Sequence, residues 1–252
     1  MYDALADLFL GSSCLGCGAP GRLVCPSCRT GLPDTARALA PDPCPPGLAG
    51  SWSCLDYEGL AKAMIVGHKE HRMLGVTRLL GQLLATAVLG AGQGVTPLLL
   101  VPAPSRPATV RSRGHEPLWA ITRAAARHLT AAGVDATPLR LLAIRGRPAD
   151  QAGLSAQARA ANLTGTQWCP SRLLAGVDHR VRAASVVLCD DVLTTGATAG
   201  EAQRALAAVG IRVTGIATIA ATRRIHRGDR PPSPALHSEH SGRSLVMRRD
   251  TD

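Results

Sequence analysis

The sequence predicts an α/β protein: a mostly parallel sheet flanked by helices, with a small four-cysteine module at its N-terminal end. Three observations predict it. Apolar runs rich in Val, Ile and Leu, at residues 98–101, 186–189 and 211–220, alternate with helix-length amphipathic segments, as parallel strands buried on both faces require. Aromatic residues make up 2% of the chain, so the core must be built from Leu, Val, Ala and Ile. Two C-x-x-C pairs fall within the first 28 residues.

At 252 residues the chain has room for one ordinary domain and a small appendage. The formal net charge is +10 with a pI near 9.9, which favours polyanionic ligands such as pyrophosphate, nucleotides or nucleic acid. Lys62 and Lys69 are the only lysines and the other cations are arginines, a bias that a GC-rich genome also produces. Asp3 and Asp7 stand where a signal peptide would be basic, so no secretory signal is read. No uninterrupted apolar span of bilayer length is read either. The expected compartment is the cytoplasm, where eight cysteines point to thiols and metal rather than disulfides.

Taken in order, Leu5, Leu8 and Phe9 share one face of a short predicted helix. Cys14 and Cys17, then seven residues, then Cys25 and Cys28 follow. Each C-x-x-C turn aims two sulfurs at one point, and a hairpin brings two such turns together as a tetrahedral thiolate site. A redox C-x-x-C would need a βαβ context, which is absent, so the reading is a structural zinc ribbon. Residues 33–50 are proline-rich and read as a linker. Cys44 and Cys54 lack C-x-x-C partners and read as spectators.

Residues 57–59 read as a turn into an amphipathic helix with Leu60, Met64 and Ile65 inward. Lys69 closes it, where the helix dipole favours a cation, between His68 and His71. Residues 74–90 form a second Leu/Ala helix. The strand at 98–101 runs into Pro102-Ala-Pro-Ser-Arg106, a loop placed to approach a ligand. Arg111, Arg113 and Gly114 precede a helix at 117–132. That arrangement is an anion site, because the helix dipole opposes cations there without one, or else a solvated basic loop. A short strand is expected near residues 139–143. Residues 145–165, with Gln151, Arg159 and Asn162, form a long polar excursion that reads as a lid or a surface helix. Residues 223–252 are rich in Arg, Pro, Ser and His and are expected to be a disordered basic tail. The domain expectation is therefore 1–50 ribbon and linker, 51–222 α/β domain, and 223–252 tail.

The stretch at 186–198, VVLCDDVLTTGAT, carries the chemistry. An apolar strand leads to Asp190 and Asp191, and then Thr194, Thr195, Gly196, Ala197 and Thr198 lead into a helix expected at 199–209. Strand ends form the ligand edge of α/β sheets, and a Thr/Gly turn at a helix N-terminus gathers N–H groups and hydroxyls around an anion. A plain solvated turn would leave two adjacent like charges without a partner. Carboxylates beside a phosphate cradle suit a sugar phosphate.

Across these thirteen positions the stretch resembles the 5-phosphoribosyl 1-diphosphate (PRPP) motif of the type I phosphoribosyltransferases. The wider order is similar to the ComF family over roughly residues 10–222: ribbon, Tyr57-x-Gly59, His68-Lys69, VPAPSR, Arg113-Gly114-His115, DQAGL and the PRPP motif. These are competence-associated, phosphoribosyltransferase-like proteins. Members usually carry more cysteine pairs, and many read RGFNQ where this chain has RGHEP.

The resemblance implies a type I phosphoribosyltransferase-like fold with one structural Zn2+ on Cys14, Cys17, Cys25 and Cys28. It implies Asp190 and Asp191 as catalytic candidates on the ribose hydroxyls, directly or through Mg2+, and residues 194–198 on the 5′-phosphate. Lys69, Arg106, Arg111 and Arg113 become the cations for pyrophosphate. It also implies PRPP or a phosphoribosyl nucleotide as ligand, with single-stranded DNA and DNA-uptake or replication-restart proteins as partners. Three functions stay open: a Mg2+-dependent phosphoribosyltransferase, a non-catalytic nucleotide or PRPP sensor that binds single-stranded DNA, and an assembly factor whose ribbon docks protein. The near absence of aromatic residues weighs against a stacking platform for single strands.

Overall fold

The computed structural model describes residues 13–145, 164–175 and 178–222. The expected N-terminal helix face, residues 146–163 of the excursion with Gln151, Arg159 and Asn162, and the basic tail lie outside the described residues.

Eight strands and eight α-helices are described: α1 (Pro26–Thr30), β1 (Arg37–Leu39), β2 (Ser51–Asp56), α2 (Gly59–Glu70), α3 (Thr77–Gly92), β3 (Leu98–Pro102), α4 (Pro107–Arg113), α5 (Pro117–Ala131), β4 (Ala136–Pro138), β5 (Ala143–Ile144), β6 (Gln167–Trp168), α6 (Ser171–Leu174), α7 (Asp178–Ala183), β7 (Ser185–Leu193), α8 (Ala197–Ala207) and β8 (Val213–Ala221). Six strands form one sheet in the order β1-β2-β8-β7-β3-β4. Every neighbouring pair is parallel except β1 with β2. β5 and β6 form a separate antiparallel pair.

Alternation along each strand builds a core on both faces. Leu98, Leu100, Val187 and Cys189 face α2, α3 and α5, where Met64, Ile65, Leu80, Leu84 and Ile121 are buried. Leu99, Val101, Val186 and Leu188 face the opposite way, onto Ala202, Ala205 and Leu206 of α8. Burying one such Leu or Ile side chain stabilises the fold by about 1.5–3 kcal/mol.

Local sequence accounts for most boundaries, and four differ from expectation. β7 does not end at Cys189 but runs on through Asp190 and Asp191 to Leu193, because β8 keeps pairing with it at Asp190↔Thr218 and Val192↔Ala220. The strand expected near 139–143 is split into β4 before it and β5 at its end. Residues 107–113 form a helix, with Pro107 at its start and Gly114 in the left-handed conformation after it, the usual Pro-first, Gly-last signature. The proline-rich segment is no free linker. It contributes β1 to the sheet, and residues 47–49 then bond to Gln203 of α8.

The ribbon is also packed onto the body: Leu15, Leu23, Val24 and Leu32 sit against the core cluster that includes α2 and α3. One helical stretch, Leu74–Gly92, is long and apolar enough to cross a membrane by length and composition, although Arg78 and Gln82 interrupt it. Half of its most apolar window is buried in the fold, where α3 packs against α5, β2 and β8, and that burial accounts for its composition.

Candidate functional site

Because the strands from β2 to β4 run parallel, their C-terminal ends share one edge. Along that edge lies a cleft of about 350 Å³, lined by Tyr57 after β2, Ala103, Pro104 and Ser105 after β3, Asp190, Asp191 and Val192 on β7, Thr194 and Thr198 before and in α8, and Lys69, Arg113, Pro117 and Leu118 from the helices.

Strand alternation sends the two aspartates to opposite faces. Asp191 follows Val187 and Cys189 toward α2, is nearly buried, and forms an ion pair with Lys69 at the α2 C-terminus. Asp190 follows Val186 and Leu188 toward α8, and its Oδ1 accepts the Asp191 N–H at 2.9 Å. Burial, then the adjacent Asp191 charge, push the Asp190 carboxyl up to about 7, against the pull of Lys69. Burial also disfavours a charged Lys69, but the Asp191 and Asp190 carboxylates outweigh it and its pKa is raised. The cleft floor thus pairs a fixed ammonium with a carboxyl poised to gain or lose a proton near neutrality.

α8 starts at Ala197 after Gly196 in the left-handed conformation, and no side chain caps it. The first-turn amides therefore have no acceptor within the helix, next to the cleft-lining Thr194 and Thr198. A Cβ on Gly196 would lie 2.9 Å from Pro41 Cγ and 3.1 Å from Leu48 Cδ2. The proline-rich strap lies directly on this turn.

Of the residues singled out from sequence, Lys69, Arg113, Asp190, Asp191, Thr194 and Thr198 line the cleft. Thr195, Gly196 and Ala197 form the turn beside it without lining it. Arg111 is exposed and Arg106 precedes α4, and neither lines the cleft. Arg111 and Arg113 occupy the last turn of α4, where the dipole favours cations, so the argument from a helix N-terminus does not apply to them. Arg113 pairs instead with Glu70 at 2.5 Å. Ser105 lines the cleft from the loop that the sequence placed near a ligand, and Tyr57 lines it from the turn read at residues 57–59. Glu70 and the strap are neighbours of the cleft that sequence reading missed.

The four ribbon cysteines form a second candidate site. Their sulfur atoms all lie within 4.8 Å of one another, and Cys17 Sγ is 3.6 Å from Cys25 Sγ. Tetrahedral thiolates about 2.3 Å from Zn2+ stand roughly 3.8 Å apart, so the set fits such a metal. The Cys25 amide, foremost among several backbone donors, lowers the Cys14 thiol to about 6, which favours the thiolate that binds metal. The Cys25 and Cys17 side chains, in contrast, push the Cys28 thiol up to about 12. Cys54 and Cys44 lie outside the cluster: the Cys54 thiol is buried and donates to the Leu83 carbonyl, while Cys44 is exposed on the strap.

No family model matches the chain, and no curated protein matches it.

Proposed function

We propose that this chain is a ComF-like, phosphoribosyltransferase-type protein that binds Mg2+-PRPP, or a related phosphoribosyl nucleotide, in the cleft at the sheet edge. One observation carries the reading: Asp190, Asp191, Lys69, Thr194 and Thr198 line a single cleft of about 350 Å³, within the size range of small-ligand pockets.

The parts divide by chemistry. The turn at 194–198 and the α8 N-terminus offer N–H and hydroxyl donors to the 5′-phosphate. Asp190 and Asp191 accept from the ribose hydroxyls. Lys69 and Arg113 face the pyrophosphate side. Two hard carboxylates also suit Mg2+, which keeps waters and substrate phosphates as ligands; when bound it would neutralise pyrophosphate charge. In a transfer reaction the bond from ribose C1 to pyrophosphate breaks and a bond from C1 to the acceptor forms. Pyrophosphate leaves with the bonding pair, and the acceptor proton passes to a base. A carboxyl at Asp190 near 7 suits that base, because general-base efficiency peaks with a pKa near the working pH. The ribose gains positive charge as the bond breaks, and the same carboxylates stabilise it.

The partners that go with this reading are single-stranded DNA and DNA-uptake or replication-restart proteins, and the net charge of +10 supports a polyanion. Titration calorimetry of Mg2+-PRPP, followed by pyrophosphate release with a panel of acceptors, tests the reading. Binding lost in the Asp190→Asn, Asp191→Asn double variant supports it, and no binding to the wild type overturns it. Binding without turnover on any acceptor would favour the sensor. Single-stranded DNA affinity that falls steeply with salt would support the DNA partner.

A further inference from the structure

We propose that His115 is the positioning residue of the pyrophosphate side: it clamps the turn after α4 onto the C-terminal end of α2 and so fixes Lys69 and Arg113 as one anion-binding pair. This rests on the phosphoribosyl reading and adds to it a residue that no cleft-lining argument selects.

The two cations come from segments far apart in sequence. Lys69 is held toward the cleft by Asp191. Arg113 has Glu70, whose side chain is 49% exposed, and a pair so open to water contributes little. His115 supplies the inner link. Its Nε2 lies 3.2 Å from the His68 carbonyl and its Nδ1 3.2 Å from the Arg113 carbonyl. Both partners are acceptors only and a neutral ring has one N–H, so the clamp is the tautomer with the proton on Nε2, donating to the His68 carbonyl. The link from Nε2 joins the residue before Lys69 to a residue two positions after Arg113. Gly114, at φ 68°, provides the left-handed step that turns His115 back toward α2.

The surface that receives the clamp is buried and packed. His68 is fully buried, and the His115 ring meets it edge to face at 5.9 Å and 82°. Thr77 gives its proton to the Leu74 carbonyl at 2.7 Å, so its oxygen accepts from His68 Nε2 at 2.8 Å. That fixes the His68 tautomer. Burial lowers His68 to about 4, so it adds no charge beside Lys69. His68 acts as a post between α2 and the start of α3, and His115 leans on it.

Calorimetry with two probes tests the proposal: Mg2+-PRPP, which has the pyrophosphate, and ribose 5-phosphate, which lacks it. His115→Phe should weaken Mg2+-PRPP by about ten-fold while ribose 5-phosphate stays within about two-fold, as loss of one charge-supporting hydrogen bond implies. His115→Gln keeps a donor at the Nε2 position and should recover most of the loss. His115→Asn, which can donate only toward Arg113, should behave like Phe. Equal weakening of both probes, no weakening of Mg2+-PRPP, or a Gln variant as weak as Phe overturns the positioning role and leaves the phosphoribosyl reading standing. A wild-type protein that binds neither probe overturns both, and does so before any substitution is made.

Discussion

The Lys69 ammonium pairs with the Asp191 carboxylate across the junction of α2 and β7, and among the described residues the adjacent Asp190 has no ion-pair partner of its own. Asp191 is 6% exposed, so removing Lys69 strands a nearly buried charge. Lys69→Met is expected to cost about 1–3 kcal/mol, between the values for exposed and buried pairs because the lysine is partly solvated. Adding Asp191→Asn should return much of that loss. Urea denaturation of the two single variants and the double variant measures the coupling directly.

Asp190 carries the pH dependence. Its carboxyl is raised from an ordinary 3.8 to about 7 by burial and by Asp191, so between those values the folded state holds a proton that the unfolded state has lost. Its contribution to stability is therefore fully present below about 4 and is lost as pH rises through 7. Asp190→Asn removes this dependence. At pH 8 the ligand-free variant should melt higher than wild type by about 2–4 °C for each kcal/mol recovered, while Mg2+-PRPP binding is lost. Melting curves from pH 4.5 to 8 check the sign, and a wild-type slope unchanged in the variant would remove Asp190 as its source.

Much of this site was legible in the sequence because its signals are local. The apolar run before Asp190, the Thr/Gly turn and the paired C-x-x-C spacing each declare themselves within a dozen residues. What was not legible depends on contacts across the chain. Carboxylates are depleted in strands, so local reading ends β7 at Cys189. Pairing with Thr218 and Ala220 of β8 extends it, and that extension puts the two aspartates on opposite faces. Arg113 reads as a loop cation until α4 turns it toward Glu70. Pro41 and Leu48 read as linker because nothing nearby in sequence shows that they pack against Gly196.

That packing ties the strap to the turn proposed to hold the phosphate. Gly196 has φ 69°, and a methyl group there would meet Pro41 and Leu48 at 2.9 and 3.1 Å. Gly196→Ala combines left-handed strain with an overpacked contact, a cost of about 1–3 kcal/mol. The larger effect should be on binding, because relief of the clash shifts the turn at 194–198. Ribose 5-phosphate affinity is expected to fall more than ten-fold, an estimate based on losing one to two donors. A variant that binds ribose 5-phosphate as wild type does would separate the strap from the site.

Removal of metal tests whether the ribbon acts on the cleft. Leu15, Leu23, Val24 and Leu32 pack against the cluster that holds α2 in place, and α2 ends in Lys69. Gly16 lies so close to Cys28 that a Cβ there would meet its sulfur at 2.9 Å, and Arg29 bonds to Gln82 of α3. Ribbon closure and helix position therefore share the same contacts. The purified protein should contain one Zn2+ per chain, held by Cys14, Cys17, Cys25 and Cys28. Cys17→Ser, at the exposed corner of the site, should lower zinc content and melting temperature together. Chelation should also increase hydrogen exchange in α2 and not only in residues 13–32, since loosening the ribbon uncovers the apolar face on which α2 rests. If exchange rises in the ribbon alone, the ribbon folds independently of the body and its metal has no hold on Lys69.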